Sequence, residues 1–291
     1  MIPASFRYAA PRSLDEAIDL LRSYEDAKVL AGGHSLLPLM KLRLANPPVI
    51  VDINRIPGLD YIREDGDKLR IGALVRHADL ERSSLIRERY PLLYDTAGGI
   101  GDPLVRNRGT LAGAVAHGDP AADWPAALLA MEGQVVVVGS GGERVVPIDA
   151  LYTGILTTSL HPDELVTEIR VPIPRERSGG AYEKLERKVG DYAVIAVGVQ
   201  LWLNETGNIG LIGIGLCNAG PTSIKARDAE RFLVSKPPAP DNFNEAARLA
   251  EAASDPIDDD RGPIDYKRAM VRELTRRALN RAFARARGAT A

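Results

Sequence analysis

Apolar and polar positions along this chain change period in blocks, and each block predicts an element. Leu14, Ala17, Ile18 and Leu21 recur at helical spacing. The Ser13-Leu14-Asp15-Glu16 start predicts a capping box, with Glu16 returning the Ser13 bond. Residues 28–31 form a short apolar strand that runs into a glycine loop, residues 36–44 read as a helix with Lys41 and Arg43 in water, and Pro47-Pro48 stops it. Val49-Ile50-Val51-Asp52 is a buried strand, so this alternation predicts a small α/β lobe over residues 1–56.

A second lobe follows over residues 57–176. Its strands are predicted at 69–73, 134–138, 144–147 and 165–171, with helices from 76, over 91–99 and over 124–131. Gly139-Ser140-Gly141-Gly142 predicts a hairpin. Pro172, Pro174 and the 175–180 stretch mark a domain boundary, so the domains expected are 1–176 and 177–291. Beyond it, 181–185, 194–203 and 209–216 read as three antiparallel strands backed by helices. An amphipathic helix over 266–287 presents Tyr266, Met270, Leu274, Ala278 and Ala282 on one face. Arg272, Arg276, Arg277, Arg281 and Arg285 occupy its other faces, read as solvated or facing an acidic partner.

Composition narrows the function. In 291 residues the net charge is −2, which disfavours nucleic acid or an anionic membrane as a general partner. The single cysteine, Cys217, rules out an internal disulfide and the thiolates of an iron–sulfur cluster. The four histidines, at 34, 77, 117 and 161, lack metal-ligand spacing. No apolar run reaches the roughly 20 residues of a membrane span, and no secretory signal opens the chain, so a cytoplasmic protein is expected.

Two loops carry the candidate chemistry. Ala31-Gly32-Gly33-His34-Ser35 lies between strand and helix, where unpaired N–H groups suit a pyrophosphate. Taken alone, the same residues read more simply as a strand-to-helix turn with Ser35 as N-cap. They are not the G-x-G-x-x-G dinucleotide fingerprint. Thr110-Leu111-Ala112-Gly113-Ala114 is the second loop, followed by Asp119-Pro120-Ala121-Ala122-Asp123. Asp119 reads as an N-cap with Pro120 at the first helical position, and Asp123 follows on the same side. Either carboxylate could accept cofactor hydroxyls or merely complement the helix dipole. Tyr192, at the edge of a polar turn, either stacks on a planar ring or closes the core.

Together these motifs resemble the FAD-binding medium subunits of molybdenum hydroxylases, the carbon monoxide dehydrogenase medium chain and xanthine dehydrogenase FAD-domain family. Ala31–Ser35 matches its AGGHS, Thr110–Gly113 its T-[IL]-G-G, and Asp119–Asp123 its D-P-A-A-D. Ala112 departs from the first glycine of that pair. The resemblance spans essentially the whole chain and implies an α+β fold: a two-lobe α/β FAD-binding domain (PCMH-type), then the three-stranded sheet and a helical C-terminal bundle. It implies FAD held by Lys28, Val29, Leu30, Ala31, Gly32, Gly33, His34, Ser35 and Leu36 on one side. Thr110, Ala112, Gly113, Ala114, Asp119 and Asp123 would line the other, with Ile100, Tyr192 and Ala193 at the ring. It further implies no catalytic acid–base residue on this chain, and a heterotrimer, dimerised, with a [2Fe–2S] small subunit and a molybdopterin large subunit. A self-sufficient flavoprotein oxidase or reductase of the same fold, or a non-catalytic assembly protein, are the alternatives.

Overall fold

The computed structural model describes residues 2–288; Met1 and residues 289–291 lie outside them. β1 (Arg7–Ala9), α1 (Leu14–Ser23), β2 (Lys28–Leu30), α2 (Leu36–Lys41) and β3 (Val49–Asp52) build the first lobe. Its strands run parallel in the order β1-β3-β2. β3 is central because Val49, Ile50 and Val51 are apolar on both faces. Ser13 accepts from the Glu16 N–H at 3.2 Å, and the Glu16 carboxylate accepts from the Arg12 N–H at 2.8 Å, one residue earlier than expected. α2 stops short of its predicted end. Arg43 takes a left-handed φ of 63° and turns the chain out of the helix before Pro47 is reached.

The second lobe begins with β4 (Ile62–Asp65) and β5 (Lys68–Gly72). Six helices follow: α3 (His77–Arg82), α4 (Ser84–Arg89), α5 (Pro91–Gly98), α6 (Pro103–Arg106), α7 (Leu111–His117) and α8 (Asp123–Ala130). The hairpin β6 (Gln134–Gly139)–β7 (Gly142–Pro147), the small pair β8 (Tyr152–Gly154)–β9 (Thr157–Thr158) and β10 (Leu165–Pro172) complete it. The main sheet is antiparallel in the order β4-β5-β10-β6-β7. β1, β4, β8 and β9 escape sequence reading because each is short and held by pairing partners.

The helix expected at Pro120 starts at Asp123 instead. The Pro120 carbonyl accepts from the Asn218 N–H at 2.8 Å, and that of Ala122 from the Cys217 thiol at 3.3 Å. Asp119 therefore caps a turn, its carboxylate accepting from the Ala121 N–H at 2.9 Å.

The remaining chain forms β11 (Ser178–Leu185), β12 (Ile195–Leu203), β13 (Ile209–Cys217), β14 (Ile224–Lys225), α9 (Arg227–Leu233), α10 (Pro240–Ala252) and α11 (Ile264–Ala286). The sheet has four strands, not three: β14 adds two residues to the edge of β13, too few to show an alternation in the sequence. One face of β12 and β13 (Val197, Val199, Ile214, Leu216) packs with α10 and α11. The opposite face carries Gly198, Gly213 and Gly215, and α8 lies directly on it. A Cβ at Gly215 would stand 1.9 Å from the Ala126 carbonyl oxygen, and one at Gly213 2.0 Å from that of Ala130.

The α11 stripe is partly displaced. Leu274, Ala278 and Ala282 are buried, but Tyr266 is exposed and Lys267 takes the inner face. Burial of Lys267 is matched by Asp259 at 2.8 Å and the Ile257 carbonyl at 2.9 Å. Arg281 and Arg285 are not free for a partner either. Both fold back onto Asp95 of α5, at 3.0 and 2.6 Å, with Arg285 and Asp95 nearly buried. Arg276 and Arg277 pair with Glu273 on their own helix.

Because α8 rests backbone-to-backbone on the sheet, Gly215→Ala should cost about 1–3 kcal/mol, the usual range for overpacking. Thermal unfolding of the full chain measures this; an unchanged midpoint would contradict the contact.

Candidate functional site

The two glycine loops meet at the junction of the lobes. β2 delivers loop residues 31–35 beside the end of β3, where Asp52 accepts from the Asn54 N–H at 2.9 Å and shapes a short turn. The Asn54 side chain then donates to the Ala31 carbonyl at 2.8 Å. A planar trans peptide puts C=O and the next N–H on opposite sides, so Gly32 N–H faces away from Asn54. Gly33 has φ +78°, the left-handed value that a side chain resists. Among the described residues, the N–H groups of Gly32, Gly33, His34 and Ser35 pair with no protein acceptor. Ser35 stands at the N-cap of α2 but makes no side-chain capping bond. Loop one is thus a row of free donors, which is what an anion nest requires.

The second motif backs onto it, but only its approach is a loop: Leu111–His117 form α7, and Arg108 and Gly109 just before Thr110 make the contact. A Cβ at Gly32 would lie 2.5 Å from the Arg108 carbonyl oxygen and 2.7 Å from Gly109 Cα. Gly109 in turn rests on His77, whose Nε2 would be 2.7 Å from an added Cβ. The Trp124 indole donates to His77 Nδ1 at 3.1 Å, which fixes the neutral ring with its proton on Nε2. Burial, helped by the charges of His34, Arg106 and Arg76, pulls the His77 pKa down to about 3. Thr110 caps α7, accepting from the Gly113 N–H at 3.0 Å. Ala112 is buried in the core of the second lobe while Gly113 and Ala114 stay half-exposed. The Ala112 methyl therefore points into the core and leaves the loop's open side to Gly113.

Tyr192 reaches the same place from the C-terminal sheet. It is 42% exposed, so it does not close a core. Burial raises the Tyr192 phenol pKa and the carboxylates of Asp119 and Asp123 raise it further, with the nearby Ser35 side chain opposing them. The turn before it is seated by Gly190, which packs on the backbone of Gly101 beside Ile100. Arg106 holds the Ile100 and Gly101 carbonyls at 3.2 and 3.1 Å. Ala193 is buried, its carbonyl accepting from Asn218 at 2.9 Å. Val29 and Leu30 are half-buried below the loop, and Lys28 is exposed.

Asp123 has a use that sequence reading did not foresee. It is 6% exposed and accepts from the Tyr182 hydroxyl at 2.9 Å and the Lys184 ammonium at 3.0 Å. Lys184 also donates to the Gly99 carbonyl at 2.9 Å. Burial pushes the Asp123 carboxyl up; the Lys184 charge and its hydrogen bond oppose that. The pair joins α8 to β11. Asn54, His77 and Lys184 are therefore site-building residues that the motifs did not reveal. For Lys184 a signal existed: Tyr182, Lys184 and Glu186 alternate on one face of a strand.

Comparison with known proteins gives this geometry a context. The FAD binding domain in molybdopterin dehydrogenase matches residues 4–174, and the CO dehydrogenase flavoprotein C-terminal domain matches residues 180–282. The carbon monoxide dehydrogenase medium chain of Hydrogenophaga pseudoflava is 45% identical over 98% of this chain and 99% of its own length. That of Afipia carboxidovorans is 41% identical over 99% of this chain and 100% of its own. A solved carbon monoxide dehydrogenase from Hydrogenophaga pseudoflava, lacking the Mo-pyranopterin moiety of the molybdenum cofactor, superposes with a TM-score of 0.95. It shares 46% identity and covers 98% of this chain and 99% of that one.

His77 makes the junction acid-sensitive. Its folded pKa lies below the ordinary 6.5, so its contribution is full above about pH 6.5 and is lost as pH falls toward 3. His77→Gln should flatten the stability loss between pH 6.5 and 5 by about 1.5 kcal/mol. Urea unfolding at both pH values checks this; parallel curves for the two proteins would contradict it.

Proposed function

The chain belongs to the FAD-binding medium chains of the molybdenum hydroxylases, and from that premise we propose that it is the electron-transfer flavoprotein subunit of such an oxidoreductase. One observation carries the reading: four consecutive N–H groups, from Gly32 to Ser35, pair with no protein acceptor in a loop that packs just before the capped start of α7. A doubly charged pyrophosphate satisfies such a row, while a small-residue wall lets it approach.

FAD, when bound, accepts electrons and releases them to an external acceptor; the protein's part is binding, orientation and electrostatics. Residues 28–36 would hold the pyrophosphate, with Thr110, Ala112, Gly113 and Ala114 against the phosphates and ribityl chain. Asp119 would accept hydroxyls through the lone pairs that the Ala121 N–H leaves open. Asp123 would act at the same end, through whichever lone pairs Tyr182 and Lys184 leave open. Ile100, Tyr192 and Ala193 would bound the ring, the Tyr192 phenol covering one face and excluding water there. No acid–base residue is required of this chain, because no bond to substrate is made on it.

The domain division at 176/177 suits this role, since Tyr192 closes from the second domain a cleft made by the first. With one cysteine the chain cannot ligate iron–sulfur clusters. A small subunit with two [2Fe–2S] clusters would deliver electrons from a molybdopterin large subunit, in a dimer of heterotrimers in the cytoplasm. Among the described residues no helix is long and apolar enough to cross a membrane.

Adding FAD to the purified full chain tests the reading. One FAD per chain, yellow and with quenched fluorescence, is expected. Tyr192→Leu should retain the flavin with its fluorescence largely restored. A folded chain that stays colourless at saturating FAD would contradict the assignment.

A further inference from the structure

Arg76 stands between the lobes, just before α3, and its half-buried guanidinium has a donor for each side. One terminal nitrogen donates to the Arg108 carbonyl at 2.6 Å; the other donates to the Asn54 side-chain oxygen. Asn54 passes the connection on, its amide nitrogen donating to the Ala31 carbonyl at 2.8 Å. Asp52 steadies Asn54 by accepting from its N–H at 2.9 Å and its amide at 2.6 Å. The Tyr8 hydroxyl in turn donates to Asp52 at 2.6 Å. The two carbonyls held in this way, Ala31 and Arg108, are those immediately before Gly32 and Gly109.

The consequence differs between the loops. With the Ala31 carbonyl tied to Asn54, the Gly32 N–H must point away from Asn54, where no protein acceptor meets it. A flipped peptide there would aim an oxygen at an incoming anion. On the second loop the Gly109 N–H already bonds the Val105 carbonyl at 2.7 Å. There the tie to Arg108 instead sets how closely Gly109 approaches Gly32. A planar guanidinium offers a separate nitrogen to each acceptor in one fixed geometry, which a single ammonium does not reproduce.

We propose that Arg76 and Asn54 are positioning residues of the FAD site, a relay that holds both glycine loops in their pyrophosphate-binding form. The proposal rests on the FAD reading above and adds to it two residues that touch no cofactor. The relay acts on the loops as one unit, so its members are not independent.

The test uses the full-length chain stripped of flavin, titrated with FAD and with ADP well below each variant's own unfolding temperature. Arg76→Met and Asn54→Asp should each weaken both ligands on the order of 10- to 100-fold, the scale of losing one charge-assisted hydrogen bond. Arg76→Lys should stay impaired although it keeps the charge. The Arg76→Met/Asn54→Asp double variant should be no weaker than the poorer single variant. If Arg76→Met fails to fold, the near-isosteric Asn54→Asp decides. FAD affinity within twofold of wild type in the folded variants overturns the relay and leaves the FAD reading standing. A folded wild-type chain that binds neither FAD nor ADP overturns both.

Discussion

The cleft depends on one close approach: Gly32 of the first lobe lies against the Arg108–Gly109 backbone of the second, with no side chain between. A methyl group at Gly32 would overlap Gly109 Cα, so the lobes could not keep their present separation. Contact at that distance makes two short segments, far apart in sequence, into one surface. Beneath it the order is fixed: Trp124 bonds His77, His77 supports Gly109, and Gly109 supports Gly32. A neutral imidazole suits that position because a charged one would be buried there without a carboxylate partner.

The same device recurs between the lobes and the C-terminal sheet. Gly213 and Gly215 let α8 settle on β13, which brings Asp123 to Tyr182 and Lys184. Buried charge pairs add little net stability, yet removing one partner is costly. Asp123 and Lys184 therefore serve register better than they serve stability: they fix where β11 meets α8 and hence where the turn bearing Tyr192 lies. Arg281 and Arg285 clasp Asp95 on the other side of the same junction. Two of the arginines that look like a partner surface in sequence are spent on this internal contact.

What the sequence disclosed follows from where information is local. The first glycine loop and the long strands of the C-terminal sheet depend on near neighbours, and their composition announced them. Ser35 shows the limit: its identity as a helix-start residue was visible, but only the fold shows that it caps nothing and faces Tyr192. Asn54, Arg76 and His77 gave no signal, because each acquires its role from a residue more than twenty positions away. The start of α8 was misplaced for a similar reason, since Asn218 and Cys217 occupy the carbonyls that a helix beginning at Pro120 would need. Lys267 sits inside an apolar stripe where periodicity expects Tyr266, because Asp259 and Ile257 are waiting for its ammonium.

The central claim is that FAD binds to one surface made by two touching loops. The FAD dissociation constant of Gly32→Ala in the full chain tests it most directly. A methyl there forces the loops apart, so affinity should fall at least tenfold, about 1.4 kcal/mol, while the chain stays folded. Affinity within twofold of wild type in a folded Gly32→Ala chain would contradict the account.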